Sequence, residues 1–374
     1  MRVLYFSDNA SDHNRRFLEK LAEAGLQVWF LDPTTDRLPD GWLPQGVQWL
    51  RTTQILRKSS RTKEFEAFLP EFLERLAEVQ PDLVHAGPTG NCGYLTALAS
   101  FHPWLLMSWG SDILYQVDRD TSWKEATQLA LSTADGFFCD CEAVRLRAGE
   151  LANIPKDRIV QLPWGIRNGS FTPEGDLPDE SEFVREPGTQ VLISTRSWEP
   201  IYGIDVLLEA FKLAYKIEPA LRLVLLGGGS GAARVRDFIR SNGLERAICL
   251  PGHVGRPEMA KWFRAAHIYV SCTASDGTSI SLLEAMASGL PVVVSDLPAN
   301  REWVKEGKNG WLAPVNSAEA FAHRLLRAAR LEANDRRAIA ERNRRIVAEK
   351  ADWDANFPKL LAMYERLTVL PVER

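Results

Sequence analysis

The chain has 374 residues, 45% of them hydrophobic and 25% charged, with a net charge of −4. That length exceeds one ordinary core and suits two domains, and the slight acidity offers no global attraction to nucleic acid. No apolar run approaches the roughly 20 residues that span a bilayer. The chain also opens directly on Arg2-Val3-Leu4-Tyr5-Phe6 rather than on a signal-like pattern. A cytoplasmic location is therefore expected, with a peripheral contact at the inner membrane face as the further option.

Strand-like runs at 2–6, 27–31, 82–85, 104–108 and 136–139 alternate with amphipathic stretches. Between the first two, Phe17, Leu18, Leu21 and Ala22 recur at helical spacing and Gly25 follows as a stop. This β-α-β opening predicts an α/β fold, a parallel sheet with helices on its faces. His13 opens the first helix after the first strand, on the edge where open α/β sheets take ligands; the plainer reading makes Asp12 or Asn14 a helix cap there. The run 51–63 carries Arg51, Arg57, Lys58, Arg61 and Lys63, shortly after Trp42 and Trp49. It reads as an ordinary solvated loop, or as a cradle for an anionic acceptor or a lipid headgroup. The five cysteines form no Cys-x-x-Cys and read as reduced core thiols rather than a metal or disulfide set.

Residues 169–189 are rich in Gly, Pro and acids, as a linker is. A second strand series follows at 191–194, 221–226, 247–250, 268–271 and 291–294, and 317–368 reads as helical throughout, kinked at Pro358. Arg196 stands at the carboxyl end of the first of these strands, where its planar fork can clamp a diphosphate. Gly228 sits in the turn LLGGGSGAARV, which permits close backbone approach or is simply a tight turn. The run Asp276-Gly277-Thr278-Ser279 follows another strand, with Ser279 or Thr278 placed to cap a helix from Ile280. A helix start with open amides suits phosphate oxygens. Glu284, five residues past Ser279, is in reach of ribose hydroxyls beside such a phosphate. A plain cap followed by a solvent-facing Glu accounts for the same spacing.

Asp276 and Glu284 stand eight apart within ASDGTSISLLEAMASGLPVVVSDLPANREWVKEGKNGWL. This stretch resembles the E-x7-E block of the retaining, GT-B-fold nucleotide-sugar glycosyltransferases of family 4, the glycosyl transferases group 1. A looser likeness runs through ISTRSWEPIYGIDVLLEAF and LPWGIRNGSF to cover nearly the whole chain. The resemblance implies two Rossmann-like domains facing across a cleft: an acceptor-binding domain over 1–170, a donor-binding domain over 171–350, and a helix over 351–374 returning to the first. It implies retaining, metal-independent hexosyl transfer from a nucleotide-diphosphate sugar to a glycan, lipid-linked or small-molecule acceptor, with no resident cofactor. A non-catalytic homologue that binds a nucleotide sugar, or a GT-B epimerase or hydrolase, is the alternative.

Carried over by resemblance, Glu284 would bind the ribose, and Arg196 with the backbone of Gly277, Thr278, Ser279 and Ile280 would hold the diphosphate. Asp276 would touch the transferred sugar, and the segment Gly252-His253-Val254 would sit near the nucleobase. Three positions depart from the family: Asp276 replaces a Glu, Tyr202 stands where a Lys precedes the glycine, and Trp109 stands where a strand-end His is usual. Asp112, His85 and His13 are then the polar candidates for a catalytic role.

Overall fold

The computed structural model describes residues 1–57, 62–167, 169–179, 183 and 188–369. Of the basic run, Lys58 to Arg61 and the Lys63 side chain lie outside the described residues, as does much of the acidic part of the linker. The chain divides into two compact units, Met1–Leu162 with Asn356–Arg374, and Pro163–Ala355.

The first unit is built on a seven-stranded sheet of β1 (Arg2–Phe6), β2 (Gln27–Leu31), β3 (Val47–Leu50), β4 (Leu83–Ala86), β5 (Trp104–Met107), β6 (Gly136–Cys139) and β7 (Ile159–Gln161). The order is β3-β2-β1-β4-β5-β6-β7 and every pairing is parallel. β4, β5 and β6 are buried along their whole length, which is why they read as unbroken apolar runs: helices cover both faces of a parallel sheet. The strand order reverses at β1, so the loops after β1 and β4 flank the crevice where this topology holds ligands.

The helix Asp12–Glu23 is capped by Ser11, whose Oγ accepts from Asn14 N at 3.3 Å. Neither Asp12 nor Asn14 is the cap; Asn14 is buried and accepts from the Tyr5 hydroxyl at 2.7 Å. Trp42 is a core residue whose ring lies 5.2 Å from Phe30, so it offers no surface beside the basic run. Trp49 does meet a cation, with the Arg51 guanidinium 5.0 Å from its ring.

The second unit carries a six-stranded parallel sheet of β8 (Gln190–Ser194), β9 (Leu221–Leu226), β10 (Ile248–Gly252), β11 (Ile268–Ser271), β12 (Val292–Ser295) and β13 (Gly310–Ala313). Its order is β10-β9-β8-β11-β12-β13. Leu192, Leu223, Leu225, Val270 and Val293 project from the strands into one core with Phe211 and Leu325. Here the order reverses at β8, and Arg196 and Asp276 emerge just beyond β8 and its neighbour β11.

The C-terminal stretch is not one continuous helix. It forms Ala318–Ala329, Ala333–Lys350 and Trp353–Val369. Asp352 explains the last break: its Oδ1 accepts from the amides of Asp354 at 2.9 Å and Ala355 at 3.3 Å, capping a new start. Within the first unit, Met363 and Leu367 of that last helix lie against Gly136, and Arg366 donates to the Asp157 carbonyl. No helix among the described residues is long and apolar enough to cross a membrane.

Candidate functional site

In the second unit three of the sequence-predicted donor-side residues, Asp276, Ser279 and Tyr202, come together around the Arg196 guanidinium. Arg196 Nη2 lies 2.9 Å from Asp276 Oδ2, while Nη1 donates to Ser279 Oγ at 2.9 Å and to Ser281 Oγ at 3.4 Å. The Arg196 guanidinium also stacks over the Tyr202 ring at 4.2 Å. Ser281 is itself bonded to the Tyr269 hydroxyl at 2.7 Å. Both partners of the ion pair are largely buried, with side chains 14% and 17% exposed. Burial disfavours the charge on Arg196, but Asp276 and the two tyrosines outweigh it and the net direction is upward. Burial also pushes the Asp276 carboxyl up, against the pull of Arg196.

Local chemistry sets this arrangement. Ser279 caps the helix Ile280–Ala287 by accepting from Leu282 N. The amides of Ile280 and Ser281 have no acceptor among the described residues, so two donors point out of the helix start. Tyr202 ends a short turn, Pro200–Tyr202, and Gly203 follows at φ +64°. A Cβ at Gly203 would lie 2.1 Å from the Cys272 carbonyl oxygen. Only glycine brings the Tyr202 turn this close to the strand end that leads to Asp276.

Glu284 sits on the same helix, buried to 3% exposure. Its Oε1 lies 2.9 Å from Arg256 Nη2, and Arg256 in turn stacks over Phe171 at 5.3 Å. Glu284 is therefore not the solvent-facing acid that the spacing also allowed. The Gly228 carbonyl accepts from Trp198 N at 2.8 Å and Ser197 Oγ at 3.1 Å, tying the glycine-rich turn to the Arg196 loop. A Cβ on Gly228 would come within 3.1 Å of His253 Nε2, next to Val254. Gly277 and Thr278 are buried in the turn between Asp276 and Ser279. Sequence reasoning missed Ser281, Tyr269 and Arg256. Ser281 shares the cap's polar face and was findable; Arg256 is 28 positions from Glu284 and carries no local signal.

Two candidates of the first unit are corrected. His85 is fully buried in β4, with the Tyr5 ring at 4.9 Å and Phe17 and Phe138 at 6.1 and 6.3 Å. Its Nδ1 is hydrogen-bonded to the Tyr364 hydroxyl of the last helix. It is a core histidine, and burial lowers its pKa to about 3. The unfolded chain takes up that proton near the ordinary value of about 6.5, so it binds more protons than the folded one between the two values. The contribution is constant above the unfolded value, and stability is lost as pH falls toward about 3, by about 1.4 kcal/mol per pH unit. In urea unfolding at pH 7 and pH 5, His85→Phe should show a smaller loss than the wild type; equal losses would refute the assignment.

Asp112 is the second correction. Its carboxylate accepts from Ser108 Oγ at 2.7 Å, Trp109 N at 3.0 Å, Ile113 N at 3.0 Å and Thr89 N at 3.0 Å. Although burial raises its pKa, these donors saturate it, and it holds the 108–113 turn in shape. His13 is placed on the edge as expected, partly exposed, its ring 6.3 Å from Trp109. An imidazole from the first turn of the helix that follows β1 thus stands beside the tryptophan that occupies the strand-end histidine position.

Comparison with known proteins fits both units. The family described as "Glycosyl transferases group 1" matches residues 179–346, and "Glycosyl transferase 4-like" matches residues 2–140. The D-inositol 3-phosphate glycosyltransferase of Jonesia denitrificans is 28% identical over 243 residues, 62% of this chain and 56% of that protein. The chain spans about half the length of the curated relatives it matches. Among solved structures, sucrose-phosphate synthase from Thermosynechococcus elongatus aligns at TM-score 0.85 with 18% identity, covering 98% of this chain and 99% of that one. Anabaena HepE in complex with UDP-glucose aligns at 0.77 with 17% identity, covering 99% and 100%.

Proposed function

Because the chain belongs to the group 1 glycosyltransferases and has their GT-B fold of two Rossmann-like units, we propose that it transfers a sugar from a nucleotide-diphosphate donor to an acceptor hydroxyl. The observation that carries this is Arg196, held by Asp276, Ser279, Ser281 and Tyr202 at the start of a helix with two open amides. Such a cluster is built for a diphosphate: the fork and the amides donate, and the helix dipole adds positive potential. Glu284, on the next turn, takes the ribose hydroxyls. One structural neighbour, Anabaena HepE, is in complex with UDP-glucose, so uridine nucleotides are the first to test.

As the bond from the sugar's C1 to the phosphate oxygen breaks, charge grows on the leaving diphosphate. Arg196 and the helix amides are placed to stabilise that charge. The acceptor oxygen bonds to C1 on the same face, and its proton passes to the leaving phosphate oxygen. The configuration is retained, with no side-chain nucleophile, resident metal or cofactor taking part. The acceptor binds to the first unit, and Asp276 contacts the transferred sugar. A reversible contact of the 51–63 segment with anionic lipid is a separate proposal, read by vesicle co-sedimentation at low and high salt.

The test is incubation with UDP-, GDP- and ADP-sugars, chelator present, with NMR detection of the sugar released by slow hydrolysis or transfer. Release first as the donor's own anomer is expected. Release of the opposite anomer, dependence on added metal, or binding without turnover would each contradict a stated part of the reading. Tyr202 offers a finer test. Its stack on Arg196 is worth about 1 kcal/mol, so Tyr202→Phe should keep nucleotide affinity while Tyr202→Lys, which sets a second cation against Arg196, should weaken it several-fold. Tighter binding by Tyr202→Lys would show that the stack does not position Arg196.

A further inference from the structure

Three loops of the first unit meet around a carboxylate that the donor chemistry does not use. Asp8 follows β1, Asp32 follows β2, and Asn91 lies in the turn Thr89–Gly93 after β4. Asp8 is half-buried; its Oδ2 accepts from Asn91 Nδ2 at 3.0 Å and its Oδ1 from Asn9 Nδ2 at 3.3 Å. Asn91 is only 4% exposed, and its Oδ1 has no donor among the described residues. The turn is held tightly in place: a Cβ on Gly90 would lie 2.4 Å from the Trp123 ring, and Thr89 N is fixed by Asp112.

The electrostatics point one way. Burial, and after it the like charge of Asp32, push Asp8 up to about 6, while the amides of Asn91 and Asn9 pull it down only in part. A buried amide oxygen without a donor costs free energy, and a carboxylate beside another carboxylate gains from any new donor. Asp32 Oδ1 is served by Thr34 N at 2.8 Å and Thr34 Oγ1 at 2.7 Å, whereas Asn91 Oδ1 lacks a donor among the described residues and Asp8 gains from another. A phosphate brings more acceptors and more negative charge; neighbouring sugar hydroxyls bring donors. His13, in the first turn of the helix Asp12–Glu23, and Trp109 stand on the same edge, their rings 6.3 Å apart, and a half-buried indole suits the apolar face of a sugar ring.

We propose that this edge is the acceptor subsite, and that it takes an uncharged sugar ring whose hydroxyls donate to Asp8 and to Asn91 Oδ1. This rests on the transferase reading and names the acceptor class within it: a neutral glycan rather than an inositol phosphate or a phosphate-bearing headgroup. The carboxylate pair selects by repulsion as well as by hydrogen bonding.

The experiment is saturation-transfer NMR on the full chain with the methyl α-glycosides of glucose, galactose and mannose, and with myo-inositol 1-phosphate as the anionic probe. At least one neutral glycoside should give signal with wild type, lose it with Asp8→Ser and Asn91→Ala, and keep a weaker one with Asp8→Asn. Inositol phosphate should give none. Circular-dichroism melts of each variant confirm folding, with Asp8→Asn as the conservative check. The proposal is overturned by an absence of glycoside signal in wild type, by signal unchanged in the Asp8 variants, or by binding of inositol phosphate in preference. It is equally overturned if calcium raises the melting temperature of wild type and not of Asp8→Asn, since the oxygens would then serve a cation. Thermal shifts with UDP, GDP and ADP on the same samples separate the two levels: nucleotide binding without glycoside binding sinks this inference alone, and neither binding sinks the transferase reading with it.

Discussion

Arg196→Met should lower kcat/KM by about a thousandfold or more, the largest single loss in this protein. Removing one preorganised donor to developing charge costs roughly 3–4 kcal/mol, and Arg196 supplies two donating nitrogens at the helix start. The same change leaves Asp276 largely buried without its cation, which destabilises the fold as well. Activity must therefore be read well below the melting temperature. Arg196→Lys keeps the charge but loses the fork and the stack on Tyr202, so it should recover only part of the rate. A double change, Arg196→Met with Asp276→Asn, separates the two effects. It should regain thermal stability, because no unpaired charge remains, and regain no activity. A double variant that turns over faster than Arg196→Met would mean that the loss came from Asp276 and not from the phosphate contact.

Glu284→Ala carries the second large effect, on nucleotide affinity. Glu284 is buried and oriented by Arg256, which is braced on Phe171. Two ribose hydroxyls deprived of a charged acceptor lose roughly 2–3 kcal/mol, about 30- to 150-fold in Kd. The chemistry can be isolated with a 2′,3′-dideoxy nucleotide. Wild type should bind it far more weakly than the parent nucleotide, and Glu284→Ala should bind the two alike, since each change removes the same interaction. Equal discrimination by both proteins would move the ribose elsewhere.

The cluster proposed to hold the donor was legible in the sequence because it is local. Asp276, Ser279 and Glu284 fall within nine consecutive residues, and a cap followed by one helical turn fixes their relation without help from the rest of the chain. Arg196 was legible for a related reason: strand ends in open parallel sheets all face the ligand side. The failures share the opposite property. Whether His85 faces a ligand or a core depends on Tyr364, 279 positions away. Asp112 reads as a free acid until Thr89, 23 positions back, is seen to donate to it. Asp8 and Asn91 meet across 83 positions, and Arg256 finds Glu284 across 28. Periodicity carries none of these pairings. The break before Trp353 was hidden too, because Asp352 caps with ordinary helix-compatible neighbours on both sides.

The sharpest test of the whole account is calorimetric titration of the purified protein with UDP, GDP and ADP, repeated on Arg196→Met. One of the three should bind wild type in the micromolar range, and its binding should be lost or reduced by orders of magnitude in the variant. If none of them binds wild type, or if the variant binds as wild type does, the cluster around Arg196 is not a diphosphate site.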